Sequence, residues 1–391
     1  MSLVVEPAVS QSAPITKGGH GFYEFFAGSG MVRIGLGSEW NCLIANDFDP
    51  AKCASYMANF DSEELIEGDI AKIAIEDIPI GAKLAWASFP CQDLSLAGSR
   101  NGLNGNRSGT FWAFWNHMKG LEARGNKVPI IALENVVGLL SSARGEDFKS
   151  LVKTLSVSYR VGAVVMDAVH WLPQSRPRLF VVAVSKDLEI PKHLVRDTPR
   201  TPWHNTAIQR VYHSLDADIQ EAWIWFDLPS PQPRTATLQD LIEREPKGVK
   251  WNTQEATNRL LAMMSPANLA KVEEARKQGH EIVGTIYKRT RPNLEGGRNQ
   301  RAEVRFDGVS GCLRTPSGGS SRQTILVVNG DDVRSRLLSP REAARLMGLP
   351  DSYILPPNYN DAYHLAGDGV AVPAVEWLQR HLLTPLAEAC P

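Results

Sequence analysis

The sequence predicts an α/β protein: a mostly parallel sheet with helices on its faces, joined to a second domain built on long loops. Three observations predict it. From Phe22 onward, short apolar runs alternate with helical stretches, which is the rhythm of a parallel sheet. Glycines, carboxylates and a cysteine stand at the carboxyl ends of these runs, where open α/β sheets bind ligands. Between about residues 186 and 338 the rhythm gives way to a stretch rich in Pro, Trp, Arg and Gly, where neither period persists.

The elements follow in order. Residues 1–20 are small, polar and non-periodic, and read as a flexible tail. Strands are expected at 22–27, 43–46, 84–88 and 130–133, with a weaker one ending near Gly68. Two later runs, 161–166 and 179–184, are separated by a loop with Pro173 and Pro177, and read as a hairpin at the end of the sheet. Regularity returns at Ser339-Pro340-Arg341-Glu342, a capping box with Ser at N-cap, Pro at N1 and Glu at N3. That helix is expected to run to Met347 and stop at Gly348, and a last helix follows Pro373. The expected division is a tail (1–20), a catalytic and cofactor-binding domain (21–190), a second domain (191–338) and a C-terminal return (339–391).

Bulk properties narrow the class. The chain has 391 residues, 43% apolar and 22% charged, ordinary for a soluble globular protein of two domains. No apolar run approaches the ~20 residues of a membrane span, and no basic-then-apolar signal opens the chain, so the expected location is the cytoplasm. Five scattered cysteines (Cys42, Cys53, Cys91, Cys312, Cys390) form no C-x-x-C pair, which argues against a disulfide framework and against a zinc site. A net charge of −1 neither advertises nor excludes a nucleic-acid partner.

The chemistry sits at the strand ends. Phe26-Ala27-Gly28-Ser29-Gly30 is a glycine turn of the kind that lets backbone approach a ligand, although Arg33 occupies the place of a third dinucleotide-fingerprint glycine. Asp47, about twenty residues on, suits a carboxylate accepting from ribose hydroxyls, with Phe48 beside it to stack on a purine; taken alone, Asp47 reads more readily as a helix cap or N-terminal charge. Asp69-Ile70 follows the weak strand. Phe89-Pro90-Cys91-Gln92 sets a cysteine just past a strand end, before a stretch (93–107) with three Gly and three Asn, polar enough for a lid. Glu134-Asn135 closes a strongly apolar strand, where a carboxylate is expensive unless paired or used, and burial makes it a candidate proton donor. Gln174-Ser175-Arg176-Pro177-Arg178 puts two guanidinium groups at alternate positions, on one side if extended. Between Lys288 and Arg305 the basic residues Lys288, Arg289, Arg291, Arg298, Arg301 and Arg305 outnumber Glu295 and Glu303, with Gly296-Gly297 among them, a candidate phosphate-tracking loop, although such charge runs are more often solvated surface.

Taken in order, the segments 25–30, 45–49, Gly68-Asp69-Ile70, 89–98, 133–136, 174–180, 337–351 and 367–373 resemble the cytosine-5 DNA methyltransferase family, over about residues 21–375. A Pro-Cys-Gln loop, then Glu-Asn-Val, then Gln-x-Arg-x-Arg is a specific order. The resemblance implies an S-adenosylmethionine-dependent methyltransferase (Rossmann-like) sheet domain with a smaller, loop-rich target-recognition domain. It implies a cofactor site of Phe26, Ala27, Gly28, Gly30, Asp47, Phe48, Asp69, Ile70, Pro90 and Asp368, and S-adenosylhomocysteine as product. It makes Cys91 the nucleophile, Glu134 the acid at the base, and Arg176 and Arg178 the cations that fix base and loop. Gln92 and Ser95 would touch DNA, and the basic stretch adds Arg289, Arg291, Arg298 and Arg301 as candidate DNA contacts read from charge alone. One departure stands out: where the family carries Gly-Asn, this chain has Gly367-Asp368-Gly369, trading a donor-plus-acceptor for an acceptor.

The implied reaction puts a methyl group on carbon 5 of a flipped-out cytosine in a specific duplex DNA sequence, through a covalent adduct of Cys91 with carbon 6, and without a metal. The implied partner is duplex DNA, the implied state a microbial monomer, and a cognate restriction endonuclease is left open. Three rivals remain. A tRNA methyltransferase of the same superfamily is disfavoured by Gln92 and the long 191–338 segment. A catalytically inactive DNA-binding paralogue is disfavoured by the intact Cys, Glu and glycines. A nicotinamide-dependent oxidoreductase leaves Cys91, Glu134 and the paired arginines without a task.

Overall fold

The structure, a computed structural model, describes residues 19–60, 63–90, 109–292, 298–314 and 322–390. The expected tail lies almost wholly outside them. The chain divides into two compact units: 19–167, 177–230 and 372–390 form the first, and 168–176 with 231–371 form the second.

The first unit is built on strands β1 (His20–Phe25), β2 (Trp40–Asp47), β3 (Leu65–Glu67), β4 (Leu84–Ala87), β5 (Ile130–Val136), β6 (Tyr159–Asp167), β7 (Pro177–Ser185), β8 (Val195–Arg196) and β9 (Trp223–Phe226). Their order across the sheet is β3-β2-β1-β4-β5-β7-β6-β9-β8. The pairs β3–β2, β2–β1, β1–β4 and β4–β5 are parallel, and β7 runs antiparallel to both β5 and β6. The order reverses between β1 and β4, which is where an open sheet of this kind opens a crevice for a ligand.

Burial explains the apolar runs. Every residue of β4 is buried, as expected for a parallel strand covered on both faces. Helix α1 (Met31–Leu36) follows β1, and α2 (Pro50–Phe60) follows β2. The helix α3 (Thr110–Ala123) turns Phe111, Phe114, Trp115, Met118 and Leu121 inward at helical spacing, into a core shared with Phe25, Ala85 and Leu133. Each such buried side chain contributes roughly 1.5–3 kcal/mol. The C-terminal segment returns to this unit, where the helix Val372–Leu378 packs on α1.

Two expectations need correction. The β6–β7 hairpin does not end the sheet, because β9 pairs parallel with β6 and β8 closes the edge. The domain change also falls near 230 rather than 190. The run Trp223-Ile224-Trp225-Phe226 is buried throughout and belongs to this sheet, and Trp203 donates from its indole to the Leu228 carbonyl at 3.0 Å.

The second unit is not loop-dominated. Strands β10 (Ile282–Pro292), β11 (Arg298–Arg305), β12 (Thr324–Asn329) and β13 (Asp332–Leu337) form an antiparallel sheet in the order β11-β10-β12-β13. Leu260, Met264, Val272 and Ala275, from the helices Gln254–Ala262 and Pro266–Lys277 and the turn between them, fill its core with Ile286, Val304, Leu326 and Val328. The capping box is present on the helix Pro340–Arg345, and Glu342 makes two hydrogen bonds to the Arg336 guanidinium at 2.6 and 2.7 Å, with both side chains fully buried. Residues 339–371 therefore belong to this unit, and only 372 onward returns to the first. The connection between β6 and β7 also belongs here: Gln174 bridges to Ser310, and its side chain donates to the Leu346 carbonyl and accepts from the Leu313 amide.

Candidate active site

The carboxyl ends of β1, β2 and β3 meet through named hydrogen bonds. Phe26 and Gly28 have φ of 58° and 57°, and Gly30 has φ 77°, so the turn after β1 is left-handed at three of five positions. That conformation costs a residue with a Cβ about 1–2 kcal/mol, which Gly28 and Gly30 avoid and Phe26 carries. The Asp47 carboxylate ties the turn to β2, accepting from the Gly28 amide at 2.7 Å and from the Asp49 amide at 2.9 Å. Phe48, next to Asp47, leaves three quarters of its surface exposed (75%). Asp69 is exposed, accepts from the Ala71 amide at 3.0 Å and caps the short helix that opens with buried Ile70.

These groups suit S-adenosylmethionine. A Cβ built at Gly28 would meet nothing within 4 Å, so backbone there borders open space. By resemblance, Asp47 would accept from ribose hydroxyls through lone pairs that the Gly28 and Asp49 amides leave, Phe48 would stack on adenine and Asp69 would meet its amine.

Two side chains that the sequence reading left without a role hold this region. Asn46 is buried and donates to the Ile66 and Gly68 carbonyls at 2.8 and 3.0 Å, fixing the end of β3 beside β2. His117 of α3 bonds to the Ile70 carbonyl at 2.8 Å. Neither type is unusual in sequence; only the tertiary partner reveals the task.

At the ends of β4 and β5, Glu134 lies inside β5 rather than past its end, paired with Phe180 of β7. The strand outlasts its apolar run because β7 supplies hydrogen-bond partners through Val136. Glu134 is buried, and its carboxylate meets the Arg178 Nε at 3.1 Å. Its neighbour Asn135, also buried, donates to the Phe89 carbonyl at 2.9 Å. That bond fixes the backbone immediately before exposed Pro90. Cys91, Gln92 and Ser95 lie outside the described residues.

Arg176 and Arg178 fall in different units, and each has its own described contacts. The strand begins at Pro177, and the Arg178 Nε meets the Glu134 carboxylate at 3.1 Å. Arg176 is 1% exposed in the second unit, where its guanidinium donates to the Leu313, Gly367 and Gly369 carbonyls at 3.0, 2.8 and 2.6 Å. It clamps both carbonyls flanking Asp368, the last residue of the helix Tyr359–Asp368.

The basic stretch 288–305 is a hairpin rather than a loop. Arg289 and Arg301 stand opposite each other on β10 and β11, and Arg289 also meets Glu303 at 3.3 Å. Arg291 and Arg298 take part in the same ladder through their backbones, while Gly296 and Gly297 lie outside the described residues. Among the described residues, no group of three or more His, Cys, Asp or Glu is disposed to hold a metal ion, and no helix is long and apolar enough to cross a membrane.

A family model of C-5 cytosine-specific DNA methylases matches residues 21–384. The chain belongs to this family. Among curated relatives, Type II methyltransferase M.HhaI of Haemophilus parahaemolyticus is 25% identical over 363 residues, covering 91% of this chain and 92% of its own. Type II methyltransferase M.HpaII of Haemophilus parainfluenzae is 26% identical over 412 residues, covering 98% and 97%. The fold matches that of the Dnmt2 methyltransferase of S. pombe, with TM-score 0.56 and 17% identity over 94% of this chain and 99% of the other. The DNMT2 of Spodoptera frugiperda, in a mutant form, matches with TM-score 0.56 and 18% identity over the same shares. The C-5 methylase chain is thus an S-adenosylmethionine-dependent cytosine-5 methyltransferase in its general chemistry: covalent addition at carbon 6, on a base swung out of its stack.

Proposed function

We propose that this C-5 methylase modifies cytosine within a specific short sequence of duplex DNA, with Cys91 as nucleophile and Glu134 as acid. The observation that carries the chemistry is the pair of neighbours on β5. Glu134 is buried against Arg178 at 3.1 Å, and Asn135 pins the Phe89 carbonyl at 2.9 Å, two residues before Cys91.

Carbon 5 of cytosine is a poor nucleophile. Addition of the Cys91 thiolate to carbon 6, with Glu134 giving a hydrogen bond or proton to N3, turns the ring into an enamine with electron density on carbon 5. S-adenosylmethionine, when bound, supplies the electrophilic methyl group. Loss of the carbon-5 proton and expulsion of Cys91 then restore the aromatic ring. Gly28, Asp47, Phe48, Asp69 and Ile70 would hold the cofactor, Asp368 by resemblance. Arg178 orients the Glu134 carboxylate; the support for Arg176 is as a positioning residue, through the carbonyls it holds.

The DNA reading draws support from two sides. Both curated relatives described above are Type II methyltransferases. Arg289 and Arg301 stand opposite each other on β10 and β11, a local concentration of positive charge that suits a phosphate backbone, with Glu303 3.3 Å from Arg289. The site chemistry is the same for a cytosine in RNA, and the solved structures compared above are Dnmt2 methyltransferases rather than Type II enzymes, so the fold lends DNA no support of its own. A tRNA cytosine is therefore the second reading. The test is base-resolution mapping of 5-methylcytosine in a host that lacks it, expressing the native chain or Cys91→Ser, with total tRNA from the same cells mapped in parallel. Marks at one short DNA motif that vanish with the variant establish the DNA reading. Marks confined to tRNA establish the second. Marks in neither, from soluble native protein, sink both.

A further inference from the structure

A carboxyl group that the reaction does not use lies behind the cofactor turn. Glu24 is the penultimate residue of β1 and sits between β2 and β4, opposite Ala45 and Trp86. It is fully buried. Its Oε2 accepts from the Tyr56 hydroxyl of α2 at 3.3 Å, and among the described residues its Oε1 has no hydrogen-bond partner. The Tyr56 oxygen in turn accepts from Arg33 Nη1 of α1 at 3.2 Å and lies 3.8 Å from the Cys42 sulfur of β2. The Arg33 guanidinium rests over the Phe60 ring at 4.8 Å and the Tyr56 ring at 5.8 Å, and reaches Glu64 at 3.9 Å.

Those two rings are what Gly30 leans on. A Cβ at Gly30 would lie 2.2 Å from Phe60 Cε2 and 3.0 Å from Tyr56 Cε2. The chain of contacts thus runs from Glu24, through the Tyr56 hydroxyl and ring, to the last glycine of the turn.

We propose that Glu24, Tyr56 and Arg33 form a buried hydrogen-bonded post that sets the position of the Gly28–Gly30 turn, making Glu24 and Tyr56 positioning residues for cofactor binding. This rests on the reading of that turn as the cofactor site. The post works with Glu24 as a neutral acid. Burial pushes its carboxyl up to about 8, partly offset by Arg33 and Tyr56 and reinforced by Asp47. Two neighbouring groups do not titrate in that range: burial pushes the Cys42 thiol up to about 12 and the Tyr56 hydroxyl higher still. Ionised Glu24 is a buried anion that draws Arg33 off the two rings, and the turn loses its support.

The experiment titrates S-adenosylhomocysteine into the full-length native chain, Glu24→Gln and Tyr56→Phe by calorimetry at about pH 7 and about pH 9, with kcat and KM for S-adenosylmethionine alongside. Gln keeps a neutral acceptor for Tyr56, and Phe keeps the ring while removing the hydroxyl, so both are conservative. The expected result is that Tyr56→Phe weakens binding about five- to tenfold, the loss of one buried hydrogen bond, with kcat at saturating cofactor unchanged. Binding to the native chain weakens severalfold more between the two pH values than binding to Glu24→Gln, any common loss belonging to the ligand's own amine. Native affinity in Tyr56→Phe, or parallel pH curves for the native chain and Glu24→Gln, overturns the proposal. A native chain that does not bind S-adenosylhomocysteine at about pH 7 overturns the cofactor reading itself, a distinct result.

Discussion

Replacing Gly30 by Ala isolates the contribution of the cofactor turn. Two costs arise. The backbone at φ 77° penalises any Cβ by about 1–2 kcal/mol. The new methyl also lands 2.2 Å from Phe60 Cε2 and 2.8 Å from Phe60 Cζ, against an ordinary carbon contact of about 3.5–4.0 Å. Phe60 packs on Tyr56 with ring centroids 4.7 Å apart, so neither ring yields freely. Overpacking of this kind costs roughly 1–3 kcal/mol, and the total comes to about 2–5 kcal/mol. Gly28→Ala is the matched control: φ is 57°, and its Cβ meets nothing within 4 Å, so only the backbone cost applies. Thermal unfolding of the cofactor-free proteins should place Gly30→Ala below Gly28→Ala, and Gly28→Ala slightly below the native chain. In the folded fraction, strain relieved by shifting the turn should weaken S-adenosylhomocysteine at least tenfold, since about 1.4 kcal/mol suffices. Equal unfolding temperatures for the two variants would refute the packing argument.

Other outcomes are expected with less computation. Glu134→Gln leaves Arg178 without its carboxylate and should lower stability while staying folded, and should lose about two to four orders of magnitude in single-turnover rate, the usual worth of a general acid; a full rate would remove Glu134 from the chemistry. Glu342→Gln breaks a fully buried ion pair with Arg336 and should cost about 3–5 kcal/mol in denaturant unfolding, whereas a surface-like loss under 1 kcal/mol would contradict the burial. Glu24 has a folded value of about 8 against an ordinary 4.5, so between these the folded chain holds the extra proton. Its contribution to stability is complete below about 4.5 and is lost as pH rises towards 8, with a ceiling of roughly 5 kcal/mol. Unfolding of Glu24→Gln should accordingly lack that decline, and matching pH profiles would show the carboxyl is not held neutral. Methyl transfer should survive excess EDTA; loss of activity restored by a divalent ion would count against a metal-free scheme.

Much of the site is legible in the sequence because parallel strands announce themselves. A continuous apolar run buried on both faces, such as 84–87, leaves its next residues at the carboxyl edge, so Asp47, Asp69 and Pro90 can be placed without coordinates. The capping box at Ser339 is equally local and equally readable. What escapes is non-local. The two-residue strand β8 and the strand β9 carry too little period to extend the first unit to 230, and their membership depends on pairing with β6. Asn135 looks like an incidental neighbour of Glu134 until the Phe89 carbonyl is found against it. Glu24 shows that a usable signal can pass unread. A carboxylate between Tyr23 and Phe25 raises the same question of burial that singles out Glu134, and the answer needs α1 and α2 in place.

The excursion of residues 168–176 bears on how such a chain can be recombined. The second unit is drawn from two separate stretches, 168–176 and 231–371. Within it Gln174 is held by Leu346 and Leu313, and Arg176 by Leu313, Gly367 and Gly369. Exchanging 231–371 alone with the corresponding stretch of another family member would leave a foreign scaffold around a native peptide and strand a buried guanidinium among carbonyls it was not fitted to. A chimera that exchanges both stretches together moves each of these side chains with its own partners, so exchanges of this unit should be designed as two-piece transplants.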